Sequence, residues 1–272
     1  MRNRLMTRTT QPKHRETRTS LRGTDVSAKG VFRFSVAYFL CVLILNILVS
    51  PFVDQFPGGF LVETALLTLV FLSALLAIGG RLRTLVGAVL VAPALVGEWL
   101  SYGRSDPSFS VAVLGSGLLF IGFVVLEFLR FIVRAPRVDF GVLCAGIATY
   151  LMLGLLWSFA YSLVDRLLPN SFVFTVGPVS GHSMNDFNAL YFSFTTLSTV
   201  GYGDIVPVSG VARMLAMVEA VFGMFYVTLL IARLVSLYSF KGPLETVNSE
   251  EIANNKRIGT ENSQTSSNKL EK

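Results

Sequence analysis

Three stretches of this chain carry no charged residue: 34–53, 107–126 and 140–164, uncharged runs of 20, 20 and 25 residues. An apolar run of roughly 18 or more residues crosses the ~30 Å hydrocarbon core of a bilayer as a helix. Strands of an outer-membrane barrel alternate polar and apolar residues and do not form such runs. The chain is 52% hydrophobic and 15% charged, whereas soluble domains carry about 25% charged residues. These features exclude a soluble enzyme, a disordered protein and a disulfide-stapled secreted domain. The chain is read as an all-α polytopic membrane protein.

The net charge of +6 does not point to nucleic acid, because the basic residues gather beside apolar segments. Nine Lys and Arg lie in residues 1–33 against Glu16 and Asp25, a basic cytoplasmic arm that orients the first helix. This arm lacks the early apolar stretch of a secretory signal, so the run after Arg33 is read as a retained helix. Spans are expected near 34–53, 59–80, 84–100, 108–130, 139–164 and 209–238. Arg81-Leu82-Arg83 is read as a tight turn between the second and third, and Pro93 as a candidate kink in the third. With the N-terminus inside, Arg81, Arg83, Arg130, Arg134 and Arg137 are internal, and Arg104 and Arg166 external. That asymmetry places both termini in the cytoplasm. Residues 241–272, with five basic and five acidic residues, read as a solvated, disordered tail with no soluble ligand domain evident. Cys41 and Cys144 fall inside apolar runs and say little about redox compartment.

Residues 187–203, FNALYFSFTTLSTVGYG, form another uncharged run, between Asp186 and Asp204. The run is short, ends in Gly-Tyr-Gly, and as a seventh span would put the tail outside. A re-entrant segment fits better, with a half-helix over 187–198 and an extended return. Irregular backbone at membrane depth is tolerated where protein buries it or water lines it, so the placement already suggests a pore or a site.

The hexapeptide Thr199-Val200-Gly201-Tyr202-Gly203-Asp204 resembles the selectivity filter of the potassium-channel family. The resemblance is close over 187–240, with 139–164 similar to an outer helix. It implies K+ coordination by carbonyl rings at Thr199, Val200, Gly201 and Tyr202, with Gly201 and Gly203 supplying positive-φ backbone. Val200 and Tyr202 are then expected to point away and brace the strand. Many members carry a Trp eight residues before the filter Thr that bonds the Asp after it; Tyr191 stands there and is expected to bond Asp204. Thr195 departs from the Glu or Val common at that position. Gly223 lies where the inner helix often has a hinge glycine, and hinge and close packing stay open as readings. One filter per chain implies a homotetramer around a fourfold axis, in a lipid plasma membrane. The domain reading is an N-terminal arm (1–33), a four-helix membrane region (34–130), a pore module (139–240) and a tail (241–272). Permeant K+ is the expected ion, and no other cofactor is.

Glu219 falls mid-membrane, where an ionisable residue is a functional candidate by default. It is expected to brace the filter through Thr195 or Thr196, or else to line the ion cavity. Arg130, Arg134 and Arg137 share a helical face but follow the uncharged turns 111–126, so they read as inner-surface anchors and not a voltage sensor. Glu127 is expected to pair with Arg130. His182 and Asp186 read as solvated. With no catalytic residues in evidence, the chain is read as a channel and not an enzyme. A poorly selective cation channel and a non-conducting regulatory or scaffold subunit are the alternatives.

Overall fold

The computed structural model describes residues 17–53, 58–100, 107–135, 140–175, 183–184 and 186–239. In chain order these form α1 (Thr17–Val53), α2 (Gly59–Ala77), α3 (Arg81–Leu100), α4 (Pro107–Arg134), α5 (Phe140–Leu167), β1 (Phe172–Phe174), α6 (Asp186–Leu197), β2 (Ile205–Pro207) and α7 (Gly210–Ser239). Six of these helices, all but α6, are long and apolar enough to cross a membrane. At 12 residues, α6 is about 18 Å long and too short to span.

The spans follow the uncharged runs, but several ends differ from the expected ones. Arg81-Leu82-Arg83 is not the turn: Arg81 opens α3, and the reversal falls on Ile78–Gly80. Ile78 is extended (φ −81°, ψ 101°) and Gly80 takes a left-handed backbone (φ 105°). Charge marks the membrane boundary, and a helix continues past it wherever the backbone permits. For the same reason α4 takes in Arg130 and Arg134, and α1 begins at Thr17, inside the stretch read as a polar arm. Pro93 lies within α3 without ending it. Arg104, Arg137, His182 and the tail lie outside the described residues.

Helix α5 is the centre of the bundle, packing against α1, α4, α6 and α7. Its buried face is rich in small residues, among them Gly146, Ala145, Ala148, Thr149, Gly154, Ser158 and Ser162. Small side chains let helix backbones approach closely where lipid supplies no hydrophobic drive for helix association. A second core joins Tyr161 of α5 to Phe172 of β1 and Phe192 of α6, their rings edge-to-face at 4.8 to 5.7 Å. This core anchors the two-stranded antiparallel ribbon β1–β2, which pairs Val173 with Val206 and was not anticipated from the sequence.

Helix α7 lies on the outside of this core. It is fastened by Glu219, Tyr226 and Arg233, whose seven-residue spacing keeps them on one helical face. Tyr226 donates to the Gly146 carbonyl at 2.6 Å. Arg233 donates to the carbonyls of Ile132, Val133 and Ala135 at 3.2, 2.7 and 2.9 Å. These carbonyls close the C-terminal end of α4, which has no intrahelical donors left and carries partial negative charge. Arg233→Ala is expected to lower stability by about 2 kcal/mol, seen as a reduced Tm in detergent. An unchanged Tm would show that the three bonds contribute nothing net.

Candidate functional site

The C-terminal turn of α6 sets the path of the strand after it. The N–H of Thr199 donates to the Thr196 carbonyl (2.9 Å), and the N–H groups of Val200 and Gly201 both donate to the Thr195 carbonyl (2.9 and 3.1 Å). The helix end and the strand thereby satisfy each other's orphan groups. Thr195 and Thr196 meet the strand through their backbone carbonyls, while the Thr195 hydroxyl turns back to Phe192 O at 3.0 Å.

Along the strand, Thr199, Gly201 and Gly203 have positive φ (59°, 51° and 79°), and Val200 and Tyr202 between them do not. In an ordinary strand successive carbonyls point to opposite sides. Inverting the backbone at every second residue turns them to the same side. Among the described residues, no donor reaches the carbonyls of Thr199, Val200, Gly201 or Tyr202. Gly203 O accepts from the Thr175 hydroxyl at 2.9 Å, so the row of unpaired carbonyls ends there. The row is exposed on the surface of the chain.

Beyond the row, the Tyr191 hydroxyl donates to Asp204 Oδ2 at 2.7 Å, and the Ile205 N–H donates to Oδ1 at 3.1 Å. Burial first, and then the bond to Asp204, push the Tyr191 phenol up to about 12, so it remains a donor. Tyr202 stacks on the Tyr191 ring at 6.4 Å, but it is 72% exposed, and Val200 is 53% exposed. Both residues thus stand largely open within one chain.

Glu219 is fully buried, so it does not line an open cavity in this chain. Nor does it bond Thr195 or Thr196. The Tyr161 hydroxyl donates to Oε2, and Ser193 Oγ stands 2.6 Å from Oε1. Ser193 also reaches the Gly154 carbonyl at 2.7 Å. The carboxyl group thus pins α7 to α5 and α6 at once. The reason for the departure is direction: Ser193 lies on the buried face of α6 that meets α5 and α7, and the Thr195 hydroxyl is engaged by its own helix. Sequence reasoning missed Tyr161, Thr175 and Ser193. The signal available was a Ser two residues before Thr195, set between the aromatic residues Phe192 and Phe194.

Gly223 is buried, and a Cβ built there would lie 2.2 Å from the Leu197 carbonyl oxygen. Close approach between α7 and the end of α6 is what this glycine supplies. Gly223→Ala must push the helices apart, and overpacking of this kind costs about 3 kcal/mol. The expected result is a clearly lower Tm in detergent. An unchanged Tm would favour a purely hinge-like role.

At the opposite end of the bundle, Glu127 accepts from Arg130 at 2.7 Å and pairs with Arg83 at 3.2 Å, tying α3 to α4. Arg130 thus pairs with Glu127, as expected. Asp186 opens α6.

Residues 142–239 match a family model described as an ion channel. Two curated relatives match a shorter stretch. The rice (Oryza sativa subsp. japonica) two pore potassium channel c is 38% identical over 69 residues, 25% of this chain and 14% of that protein. The calcium-gated potassium channel TvoK of Thermoplasma volcanium is 43% identical over 61 residues, 22% of this chain and 17% of that protein. The chain therefore spans less than a fifth of the length of either relative.

Proposed function

We propose that this chain is one subunit of a potassium-selective channel, in which four copies surround a central axis and each contributes Thr199–Gly203 as its filter strand. The observation that carries this reading is the alternation of φ at 199, 201 and 203, with four consecutive carbonyls left unpaired. A dehydrated K+ needs neutral oxygens in place of its water shell. One chain offers a single row of them on its surface, and a row is not a cage. Rings at Thr199, Val200, Gly201 and Tyr202 require further copies. Exposure supports assembly too: in an 18-residue apolar window of each helix, 61% of the residues of α5 are buried within the chain, against 11% of those of α7.

In this reading Tyr191 and Asp204 hold the outer end of the filter, the Thr195 and Thr196 carbonyls its inner end, and Glu219 the pore helix behind it. Ions pass down their electrochemical gradient with no covalent step, so no cofactor beyond the permeant K+ is needed. The pore module, 139–240, sits beside a peripheral unit, 34–130. The positive residues Arg81, Arg83, Arg130 and Arg134 support a cytoplasmic side at that end of the bundle, with both termini in the cytoplasm and the helices in the plasma membrane. The chain fits a channel better than an enzyme, and the similarity of residues 142–239 to the ion-channel family model supports that.

The test is ion flux into liposomes containing the purified chain. The expected result is uptake driven by a potassium gradient, blocked by barium, with sodium at least about tenfold less permeant under bi-ionic conditions. Equal sodium and potassium permeability would replace the reading with a poorly selective cation channel. Uptake indistinguishable from empty liposomes, with correctly inserted protein, would overturn it in favour of a scaffold.

A further inference from the structure

The carbonyl row ends where a residue 28 positions away in the chain takes hold of it. Strands β1 and β2 pair Phe172 with Pro207 and Phe174 with Ile205, and one step further in the same register Thr175 stands opposite Asp204. The Thr175 N–H donates to the Asp204 carbonyl at 2.8 Å, so the ribbon reaches the residue that follows the row. The Thr175 hydroxyl lies 2.9 Å from the Gly203 carbonyl and 3.2 Å from that of Asp204. A hydroxyl has one proton to give. The Asp204 carbonyl already accepts from the N–H, whereas among the described residues nothing else donates to the Gly203 carbonyl. That proton therefore serves Gly203.

We propose that Thr175 is a positioning residue for potassium selection: its hydroxyl fixes the Gly203–Asp204 peptide and, through it, the outermost carbonyl of the row, at Tyr202. This rests on Thr199–Gly203 being the filter strand of a potassium-selective channel. Gly203 has φ 79° and no atom within 4 Å of where a Cβ would go. Glycine moves between positive and negative φ at little cost, so neither side-chain collision nor backbone sterics holds the peptide after it in place. The hydrogen bond does. Once released, that peptide turns freely, and the Tyr202 carbonyl beside it loses its fixed direction.

Asp204 is gripped from two sides. Tyr191 of α6 holds its carboxylate at 2.7 Å, and Thr175 holds its main chain. Tyr191 fixes where Asp204 sits, and Thr175 fixes which way the preceding carbonyl points. The second grip is rooted in the core. Phe172, at the other end of β1, packs edge-to-face on Tyr161 and Phe192. The Ser171 carbonyl accepts from the Val208 N–H at 2.8 Å, two residues before α7 begins. The ribbon thus ties the outer ends of α5 and α7 to the end of the row.

The experiment compares wild type, T175V and T175S as the full chain, in liposomes and in detergent. Valine keeps the branched shape and the N–H bond to Asp204 and removes the hydroxyl alone, whereas serine keeps the hydroxyl. Under bi-ionic conditions T175V is expected to raise sodium permeability relative to potassium at least about fivefold, because each of four copies loses one neutral hydrogen bond, and T175S to stay within about twofold of wild type. Thr175 is exposed, so Tm in sodium chloride should agree within about 2 °C among the three. Replacing sodium by potassium should raise the Tm of the wild type, since an ion bound by the folded state alone stabilises it. That increment should fall by at least half in T175V and return in T175S. The detergent measurement needs no conduction. A wild type that tells potassium from sodium, beside a T175V that does so equally well, would overturn this inference and leave the proposed function standing. A T175S as unselective as T175V would overturn it too, as would a T175V that only lowers Tm and total flux at an unchanged permeability ratio. A wild type that does not tell the two ions apart would overturn the proposed function, and this inference with it.

Discussion

Gly201→Ala is expected to abolish potassium flux while leaving the protein folded and inserted. Gly201 sits at φ 51° with no atom within 4 Å of where a Cβ would go. The obstacle is therefore conformational and not a clash. An L-residue in the left-handed region costs roughly 1 to 2 kcal/mol, and in the proposed tetramer that cost falls on four strands meeting at one level. The relief available is rotation of the Val200–Gly201 peptide, which turns the Val200 carbonyl away from the row. An ion at that level then loses oxygens that were replacing its water. A deficit of about 3 kcal/mol is about 100-fold in rate. The measurement is liposome flux of wild type beside the variant, with insertion checked in each. Flux within about twofold of wild type would show that the carbonyl row is not the conduction path. Because no packing is disturbed, Tm should change far less than in Gly223→Ala, and this contrast separates backbone geometry from collision.

Thr199 marks the limit of what the sequence offered at this site. Gly201 and Gly203 announce positive φ, since glycine alone adopts it at little cost. Thr199 adopts it as well (φ 59°), although β-branched residues are outliers there. It is held by its N–H bond to the Thr196 carbonyl, a constraint that exists only once α6 has formed. The spans were legible because an uncharged run has few alternatives in a folded chain. Their ends were not, since Arg81 and Arg134 reside within helices that pass the membrane boundary. The hexapeptide and Tyr191–Asp204 are local and were readable. Tyr161 and Glu219 are 58 residues apart, and no periodicity links them.

That distant pair sets up a discriminating prediction. Glu219→Ala should lower Tm substantially and reduce flux, whereas Glu219→Gln should keep both. Removing the carboxyl leaves the Tyr161 hydroxyl without an acceptor in a site that water does not reach, while Ser193 keeps the Gly154 carbonyl. Each buried orphan costs about 1 to 3 kcal/mol, and the space left behind adds to it. Glutamine has the shape and the atoms to replace the acid. Its carbonyl accepts from Tyr161, and its amide donates to Ser193 Oγ. Ser193 has one proton and two acceptors within reach, Gly154 O and Glu219 Oε1. With an amide donor at 219, that proton is free for the Gly154 carbonyl, so Tyr161, Ser193 and Gly154 all keep a partner. A residue that instead concentrated cations by its charge would fail as glutamine and survive as a bulky acid elsewhere on the wall. Thermal unfolding and liposome flux of the two variants therefore separate the roles. Loss of flux in Glu219→Gln with an unchanged Tm would show that charge, and not the three-helix junction, is what Glu219 contributes.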